Sequence, residues 1–497
     1  MRRAVRRAAL VAAAVAMAVA GAARGATAQG AARAVTPPPA RYDASWASLD
    51  RRPVPAWYDS AKFGIFVHWG VYSVPAWAPT GANVPVYEKY AEWYERRVRD
   101  DSARGGPFWR FHARTYGAGV PYRAFAPQFR AELWDPAAWA ALFARSGAGY
   151  VVLTAKHHDG FALWPSAQSP GWSSGDAGPK RDLAGDLAAA VRARGLRMGF
   201  YYSLYEWYHP LYTADTTAAG AARLRRYVDA HMLPQLRDLV TRYRPAVLWT
   251  DGEWEHPSAA WRSPEFLAWL FTDGPNPDEV VVNDRWGSET RGHHGGIYTS
   301  EYGIEHLATG DAAAAWHKWE ETRAVGGSFG YNRAEALGDY HTGGELVRLL
   351  VETVAKGGNL LLDVGPTADG RIPVIMQERL TAVGDWLRVN GEAIYGTRRW
   401  RVSADPVAAG GPAVRYTARG GAARGDTVYA IALGDPGAEL VLSAPTLGPA
   451  ATVALLGYPG PLRWRAEGGR LHVTVPRLSP DGPVRHAYVF RLTGGVT

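Results

Sequence analysis

Short apolar runs alternate with helical patterns along most of the chain, from about residue 60 to residue 390. The runs are continuous, as in residues 63–69 and 150–154, which is typical of parallel strands covered on both faces. The segments between them carry apolar residues at helical spacing, as in residues 183–191. Six to eight such units predict an α/β fold, a TIM-like (β/α)8 barrel. A doubly wound open sheet is the alternative, but no glycine-rich phosphate loop follows the first run.

The pattern changes after about residue 400, where helical periodicity disappears and short apolar runs are separated by glycine and proline. Residues 471–475 alternate apolar and polar side chains, which is the period of a half-buried strand. This texture predicts a C-terminal β-sandwich. We therefore expect the barrel over residues 42–397 and the β-sandwich over residues 398–497, with a packing or carbohydrate-contact role for the sandwich.

The N-terminus has the three parts of a secretory signal peptide. Four arginines fall within the first seven residues, residues 8–20 are apolar and small, and residues 26–28 form an A-x-A cleavage signal. We expect a signal peptide over residues 1–28 and a proline-containing linker over residues 29–41. An uncleaved anchor is the alternative, but the apolar run is short for a membrane span. The sequence thus predicts a secreted or periplasmic protein with no membrane span in its mature form.

Composition narrows the functional classes. The 497 residues include no cysteine, which excludes disulfides, thiolate nucleophiles and cysteine-ligated metals. The net charge is +8, but five arginines lie in the first 28 residues, so the rest of the chain carries only +3. A nucleic-acid partner is therefore not expected. The 21 tryptophans and 25 tyrosines supply flat rings that bury well and stack on sugars.

Polar and aromatic residues collect where the apolar runs end, and in a parallel barrel the carboxyl ends of the strands carry the chemistry. Metal-dependent hydrolysis would use His68, His157, His158 and Asp251 as ligands. Adjacent residues of an extended segment point to opposite faces, so His157 and His158 are not expected to bind one metal ion together. Glycoside hydrolysis by paired carboxylates uses the whole set, including the rings. We expect no metal and no cofactor.

Several ordered motifs resemble the signatures of the α-L-fucosidases, glycoside hydrolase family 29. They lie at residues 63–75, 92–94, 156–161, 328–332, 357–362, 365–367 and 390–395. The resemblance extends from about residue 40 to the C-terminus. It implies a retaining exo-hydrolase that removes terminal α-L-fucose, with a TIM-like barrel followed by a C-terminal β-domain. The implied partners are fucosylated oligosaccharides or glycoconjugates, and a homo-oligomer is left open.

The resemblance also assigns roles to residues of this chain. The family's nucleophile falls on Asp251. Its substrate-binding residues fall on His68, Trp93, His157, His158, Tyr201, Trp249, Arg285 and Phe329. The acid/base falls on Glu301 as first choice, with Glu320, in another family signature, as the second. A non-catalytic fucose-binding protein on the same scaffold is the runner-up, although such a protein would need neither a nucleophile nor an acid. A metal-dependent hydrolase ranks third.

Overall fold

Eight parallel strands form the central sheet of the computed structural model, which describes residues 41–303, 317–405, 411–421, 425–477 and 485–497. The strands are β1 (Phe63–Val67), β2 (Tyr150–Lys156), β3 (Arg197–Ser203), β4 (Val247–Asp251), β5 (Val281–Val282), β6 (Tyr298–Glu301), β7 (Trp319–Ala324) and β8 (Asn359–Val364). Their order is β5-β4-β3-β2-β1-β8-β7-β6. A parallel bridge between Asn283 and Ile297 joins β5 to β6, so the sheet closes on itself. The predicted TIM-like barrel is confirmed.

Helices follow most of the strands and cover the sheet. They are α1 (Trp46–Leu49), α2 (Ala56–Ala61), α3 (Tyr94–Ser102), α4 (Pro107–Thr115), α5 (Pro136–Arg145), α6 (Leu183–Ala193), α7 (Ala218–Tyr227), α8 (Leu233–Tyr243), α9 (Ser258–Trp261), α10 (Ser263–Thr272), α11 (Gly343–Ala355) and α12 (Val374–Asn390). Asp135 accepts hydrogen bonds from the first free N–H groups of α5, and Pro136 takes its first position, as the sequence predicts. No helix in the described part of the chain combines the length and apolar character that a bilayer crossing needs.

The barrel core explains the continuous apolar runs. Every residue of β1, β2, β4 and β8 is buried, because helices pack on one face of the sheet and side chains fill the interior on the other. Strand β7 differs, since Glu320, Glu321 and Thr322 are polar and yet buried. The hydrophobic pattern did not predict β7 for this reason.

The C-terminal region forms two antiparallel sheets. Its strands are β9 (Arg398–Ala404), β10 (Val414–Gly421), β11 (Gly425–Ala432), β12 (Glu439–Leu442), β13 (Thr452–Leu455), β14 (Trp464–Glu467), β15 (Arg470–Thr474) and β16 (Tyr488–Thr493). The five-stranded sheet has the order β13-β16-β11-β10-β9, and the three-stranded sheet has the order β12-β15-β14. Apolar residues of both sheets share one core, so the predicted β-sandwich is confirmed. In β15 Leu471 and Val473 are buried, and the residues between and after them are more exposed.

The sandwich packs against the barrel through buried hydrogen bonds. The Trp386 indole of α12 donates to the Ala487 carbonyl over 2.9 Å, and the Thr417 hydroxyl donates to the Ala393 carbonyl over 2.7 Å. Residues 41–497 form one compact unit, so the boundary at residues 397 and 398 stays a prediction. The predicted signal peptide, residues 1–28, and nearly all of the linker lie outside the described residues.

Candidate active site

The carboxyl ends of the barrel strands open into a cavity of about 380 Å³, within the size range of small-molecule sites. Ten of the eleven candidate site residues line this one cavity: His68, Trp93, His157, His158, Tyr201, Trp249, Asp251, Arg285, Glu301 and Phe329. The eleventh, Glu320, does not. The barrel geometry accounts for the convergence, because parallel strands end at the same rim. The structure thus brings the predicted set together, while the role of each residue stays a prediction.

One guanidinium group joins the two carboxylates of the site. Arg285 Nη1 donates to Asp251 Oδ1 over 2.8 Å, and Arg285 Nη2 donates to Glu301 Oε1 over 2.5 Å. The Tyr201 hydroxyl donates to the other Asp251 oxygen over 2.9 Å. Because a single planar group contacts both, the carboxylates are held a few ångströms apart and face the same cavity.

Arg285 is itself fixed on its remaining sides. Its Nε donates to the Thr299 hydroxyl over 3.0 Å, and that hydroxyl donates to Asp284 Oδ1 over 2.7 Å. The guanidinium carbon lies 4.4 Å from the centre of the Trp249 ring. Arg285 is 1% exposed, so its charge depends on the two carboxylates for compensation. The arrangement therefore positions both carboxylates through one buried cation.

His158 presents a hydrogen-bond acceptor to the cavity. The Ser203 hydroxyl donates to the Tyr205 carbonyl over 2.7 Å, so at 2.7 Å from His158 Nδ1 its oxygen accepts and Nδ1 carries the hydrogen. Burial, helped by the nearby His68, lowers the pKa of His158 well below its usual value, and the ring is neutral. Nε2 then keeps a lone pair, 3.4 Å from the Tyr201 hydroxyl, whose hydrogen goes to Asp251 over the shorter distance of 2.9 Å, and 3.6 Å from Asp251 Oδ2.

His68 presents a donor instead. Its Nδ1 lies 2.6 Å from Asp363 Oδ1 at the end of β8. Burial lowers the pKa of His68 and raises the pKa of Asp363, so the pair is held neutral overall. Whether the shared proton sits on the carboxyl or on Nδ1, Nε2 carries a hydrogen. Two neighbouring histidines thus offer opposite hydrogen-bonding groups, as recognition of hydroxyl groups requires.

The expectation that His157 and His158 point to opposite faces was wrong. Strand β2 ends at Lys156, and the Gly160 N–H donates to the His157 carbonyl over 3.0 Å, so the pair lies in a turn. Gly160 has a φ of 78°, which suits glycine at the end of this turn. The two imidazole rings come within 4.1 Å, centre to centre, and both line the cavity.

The four residues of the metal alternative do not form a coordination group. Within the described ranges, the group of three or more His, Asp or Glu residues whose ligand atoms all lie within 4.8 Å of one another consists of Glu206, His209 and His231. There Glu206 Oε1 already accepts from Lys156 Nζ over 2.7 Å and contacts His231 Nε2 at 2.6 Å. Burial opposes the charge of Glu206, but Lys156 and His231 outweigh it and lower its pKa to about 2. This cluster is a buried ion-pair network in which the ammonium group opposes a metal ion.

Glu320 lies away from the cavity wall. It is fully buried on β7, where its carboxyl accepts from the hydroxyls of Tyr58 and Tyr150 and, over 3.0 Å, from the Trp249 indole. Burial raises its pKa, although these three donors oppose the shift. Glu320 therefore contacts the back of Trp249 rather than a ligand.

Replacing Glu320 should reduce stability more than it alters the chemistry. Glu320→Ala leaves three buried donors without an acceptor and should lower the free energy of unfolding by about 2–5 kcal/mol. Urea denaturation followed by tryptophan fluorescence measures this loss. Glu378→Ala, at a side chain 55% exposed, is the control and should leave the midpoint unchanged. An unchanged midpoint for Glu320→Ala would contradict the role assigned to this carboxyl.

Glu92 is a cavity residue that sequence reasoning did not single out, although it begins one of the family-like motifs. Its Oε2 accepts from the Gly330 N–H over 2.8 Å and from the Ser328 hydroxyl over 3.3 Å. Burial raises the pKa of Glu92 to about 7. Two motifs far apart in the sequence thus meet here, and their buried carboxyl lines the cavity. The signal that could have identified Glu92 in the sequence is its place in a motif that resembles the family signatures, like the motif that contains Ser328 and Gly330.

Fold and site together define a class. A closed parallel barrel whose strand ends gather two bridged carboxylates, three buried histidines and a wall of aromatic rings has the form of a glycoside hydrolase site.

Comparison with known proteins identifies the family. The family model described as alpha-L-fucosidase matches residues 30–392, and the one described as alpha-L-fucosidase C-terminal domain matches residues 410–493. Human tissue alpha-L-fucosidase is 44% identical over 94% of this chain and 95% of its own length. The crystal structure of the Thermotoga maritima alpha-fucosidase superposes with a TM-score of 0.75 at 38% identity, covering 91% of this chain and 100% of that one. A Bacteroides thetaiotaomicron GH29 alpha-L-fucosidase gives a TM-score of 0.71 at 25% identity, covering 90% and 96%. The chain belongs to the α-L-fucosidase family, glycoside hydrolase family 29, and is an enzyme of that family.

Proposed function

We propose that the protein is a secreted exo-glycosidase that removes terminal α-L-fucose from fucosylated glycans with retention of anomeric configuration. The observation that carries the proposal is the pair Asp251 and Glu301, bridged by Arg285 and facing one cavity. Retaining glycosidases use two carboxyl groups on opposite sides of the scissile bond, one as nucleophile and one as acid/base.

Asp251 takes the part of the nucleophile. Donors from Arg285 and Tyr201 hold both of its oxygens and stabilise its carboxylate form. One oxygen attacks the anomeric carbon while the bond from that carbon to the leaving oxygen breaks. The product of this step is a fucosyl ester on Asp251.

Glu301 takes the part of the acid/base. In the first step it gives its proton to the leaving oxygen, and in the second it removes a proton from the water that attacks the fucosyl ester. Its side chain is 18% exposed, compared with 11% for Asp251, so water reaches it more easily. Glu320 has no such access, because it is 0% exposed and lies outside the cavity wall.

The shape and lining of the cavity support a terminal deoxy-sugar as the ligand. Phe66, Tyr201 and Trp249 are wall residues that are at most 2% exposed, which suits a pocket that holds a single terminal sugar. The donor on His68 and the acceptor on His158 suit hydroxyl groups, while Phe329 offers an apolar surface to a methyl group or a C–H face. The similar alpha-fucosidase of Thermotoga maritima has been crystallised in complex with fucose, which agrees with this ligand class.

Secretion is proposed from the N-terminal segment. The charged start, the apolar run and the cleavage signal at residues 26–28 support export. The family match begins at residue 30, just after the predicted cleavage point. The export machinery would release an enzyme able to act on glycans outside the cytoplasm.

The proposal is tested by following hydrolysis of 4-nitrophenyl α-L-fucoside by proton NMR. We expect turnover in which α-L-fucose appears first and mutarotates later, with the 4-nitrophenyl β-L-fucoside left uncleaved. Dialysis against a chelator should leave the rate unchanged. β-L-Fucose as first product would contradict retention. Saturable binding of fucose without turnover would instead indicate the non-catalytic sugar-binding protein.

A further inference from the structure

The mouth of the cavity differs from its inner end. Tyr201 and Arg285 at the inner end are each 1% exposed. At the mouth Tyr87 is 58% exposed and Trp254 is 39% exposed, although both line the same cavity. Exposed large rings beside a sugar-sized cavity are platforms for a second ring to stack on. The mouth is therefore where the group attached to the bound sugar must lie.

Two arginines accompany these rings. Arg97 lies on α3, directly after the motif that contains Glu92, and Arg291 lies in the loop that follows β5. Arg97 Nη2 donates to the Tyr87 carbonyl over 2.9 Å, while its buried Nε makes no hydrogen bond to any described residue. Arg291 is exposed. Across the described ranges neither arginine forms an ion pair within 4.0 Å, unlike Arg285.

The acidic groups nearby do not cancel these charges. Asp251 and Glu301 share the single guanidinium of Arg285, and this group of three is neutral when Glu301 holds the proton that its acid role requires. Burial, reinforced by Asp251, raises the pKa of Glu253 to about 8, so this neighbour of Arg291 is largely neutral near pH 7. Burial also raises the pKa of Asp284, although hydrogen bonds from Thr299 and Gly292 and the charges of Arg285 and Arg291 oppose this rise. Glu92, whose pKa is raised to about 7 by burial, lines the same cavity but pairs with neither arginine, so among the described residues Arg97 and Arg291 remain two unpaired positive charges at the mouth.

We propose that the mouth is a subsite for a leaving group that bears an anion, a carboxylate or a sulfate on the sugar to which the fucose is attached. This inference rests on the proposed function and adds a substrate class to it. Tyr87 and Trp254 stack on the ring of the leaving sugar, and Arg97 and Arg291 bind its anionic substituent. A guanidinium group suits both anions because it offers parallel N–H donors to two oxygens.

The test compares aryl α-L-fucosides that differ only in the para substituent. The anionic probes carry a carboxylate or a sulfonate, the latter standing for sulfate, and the neutral probe carries a carboxamide. The quantity of interest is kcat/KM of each anionic probe divided by kcat/KM of the neutral probe. Comparing this ratio between variant and wild type cancels both the leaving-group chemistry and any general loss of activity.

Arg97→Gln and Arg291→Gln should each lower the ratio about three- to fivefold, and the double variant should lower it further. Arg97→Lys, which keeps the charge, should lose less. Arg96→Gln is the matched control, because Arg96 neighbours Arg97 on α3 but pairs with Asp100 away from the cavity. Added salt should lower the wild-type ratio and leave the double variant unaffected. The two anionic probes show whether the subsite takes carboxylate, sulfate or both.

Equal ratios in wild type and in both single variants would overturn the subsite. Arg97→Gln also removes the hydrogen bond to the Tyr87 carbonyl and can move that segment. Arg291 makes no side-chain hydrogen bond within the described residues, so the ratio measured for Arg291→Gln reflects the loss of the charge alone. If the wild type cleaves no probe at all, the proposed function fails. If the wild type cleaves the probes but its ratio of anionic to neutral kcat/KM equals that of the double variant, only this inference fails.

Discussion

Asp251→Gly is expected to lose turnover by more than about 10³-fold while still binding fucose, because the substitution removes the carboxylate that attacks the anomeric carbon. Arg285 keeps its ion pair with Glu301 in this variant, so the buried guanidinium is not left without a partner. The space vacated by the side chain admits a small anion. Sodium azide should therefore restore part of the cleavage of an activated aryl fucoside and yield a fucosyl azide.

The measurement is kcat on 4-nitrophenyl α-L-fucoside with and without azide, together with calorimetric titration of fucose. Glu255→Gln is the control, since Glu255 follows Asp251 closely in sequence but is exposed and accepts from the Tyr212 hydroxyl outside the cavity. This variant should retain wild-type turnover. Near wild-type activity in Asp251→Gly would remove Asp251 from the mechanism.

Glu301→Gln is expected to lose about 10²–10⁴-fold in kcat/KM on fucosylated oligosaccharides, the usual contribution of a general acid. The loss should be far smaller on a nitrophenyl fucoside, because an acidic phenol departs without protonation. The amide keeps the size of the side chain and can still accept from Arg285, so the site is not expected to collapse. Rates measured on both substrates give the ratio that reports on acid catalysis.

Glu320→Gln separates the two acid candidates. Since Glu320 is buried behind Trp249, its variant should show the same fractional change on both substrates. A leaving-group dependence in Glu320→Gln, with none in Glu301→Gln, would reverse the assignment. A dependence in neither would mean that a third carboxyl delivers the proton.

The hydrophobic pattern predicted the strands correctly where the buried residues are apolar. Strand β1 is apolar throughout and β8 is apolar at four of its six positions, and every residue of both strands is buried. Strand β7 was not predicted, because Glu320, Glu321 and Thr322 are residue types that are usually exposed. The burial of Glu320 depends on the hydroxyls of Tyr58 and Tyr150, which are far away in the sequence, and no local pattern contains that information.

The strand ends and the family resemblance predicted which residues line the site. They did not predict how these residues are paired or protonated. That Arg285 joins Asp251 to Glu301 depends on how β4, β5 and β6 lie side by side around the barrel. Strand β2 ends at Lys156 and His157 and His158 lie in the turn that follows, so the side-chain alternation of an extended strand does not apply to them. Protonation states are set by third partners such as Ser203 and Asp363, which sequence spacing does not reveal.

Covalent attachment of fucose to Asp251 during turnover is the step on which the proposed mechanism depends. It is tested most directly by incubating the enzyme with 2-deoxy-2-fluoro-α-L-fucosyl fluoride, whose fluorine slows hydrolysis of the ester, and locating the label by peptide mass spectrometry. We expect one fluorofucosyl group per chain, attached to Asp251 and absent from Asp251→Gly. Stoichiometric label on another carboxylate, or turnover of the reagent to a β-configured product with no adduct at any time, would contradict the mechanism.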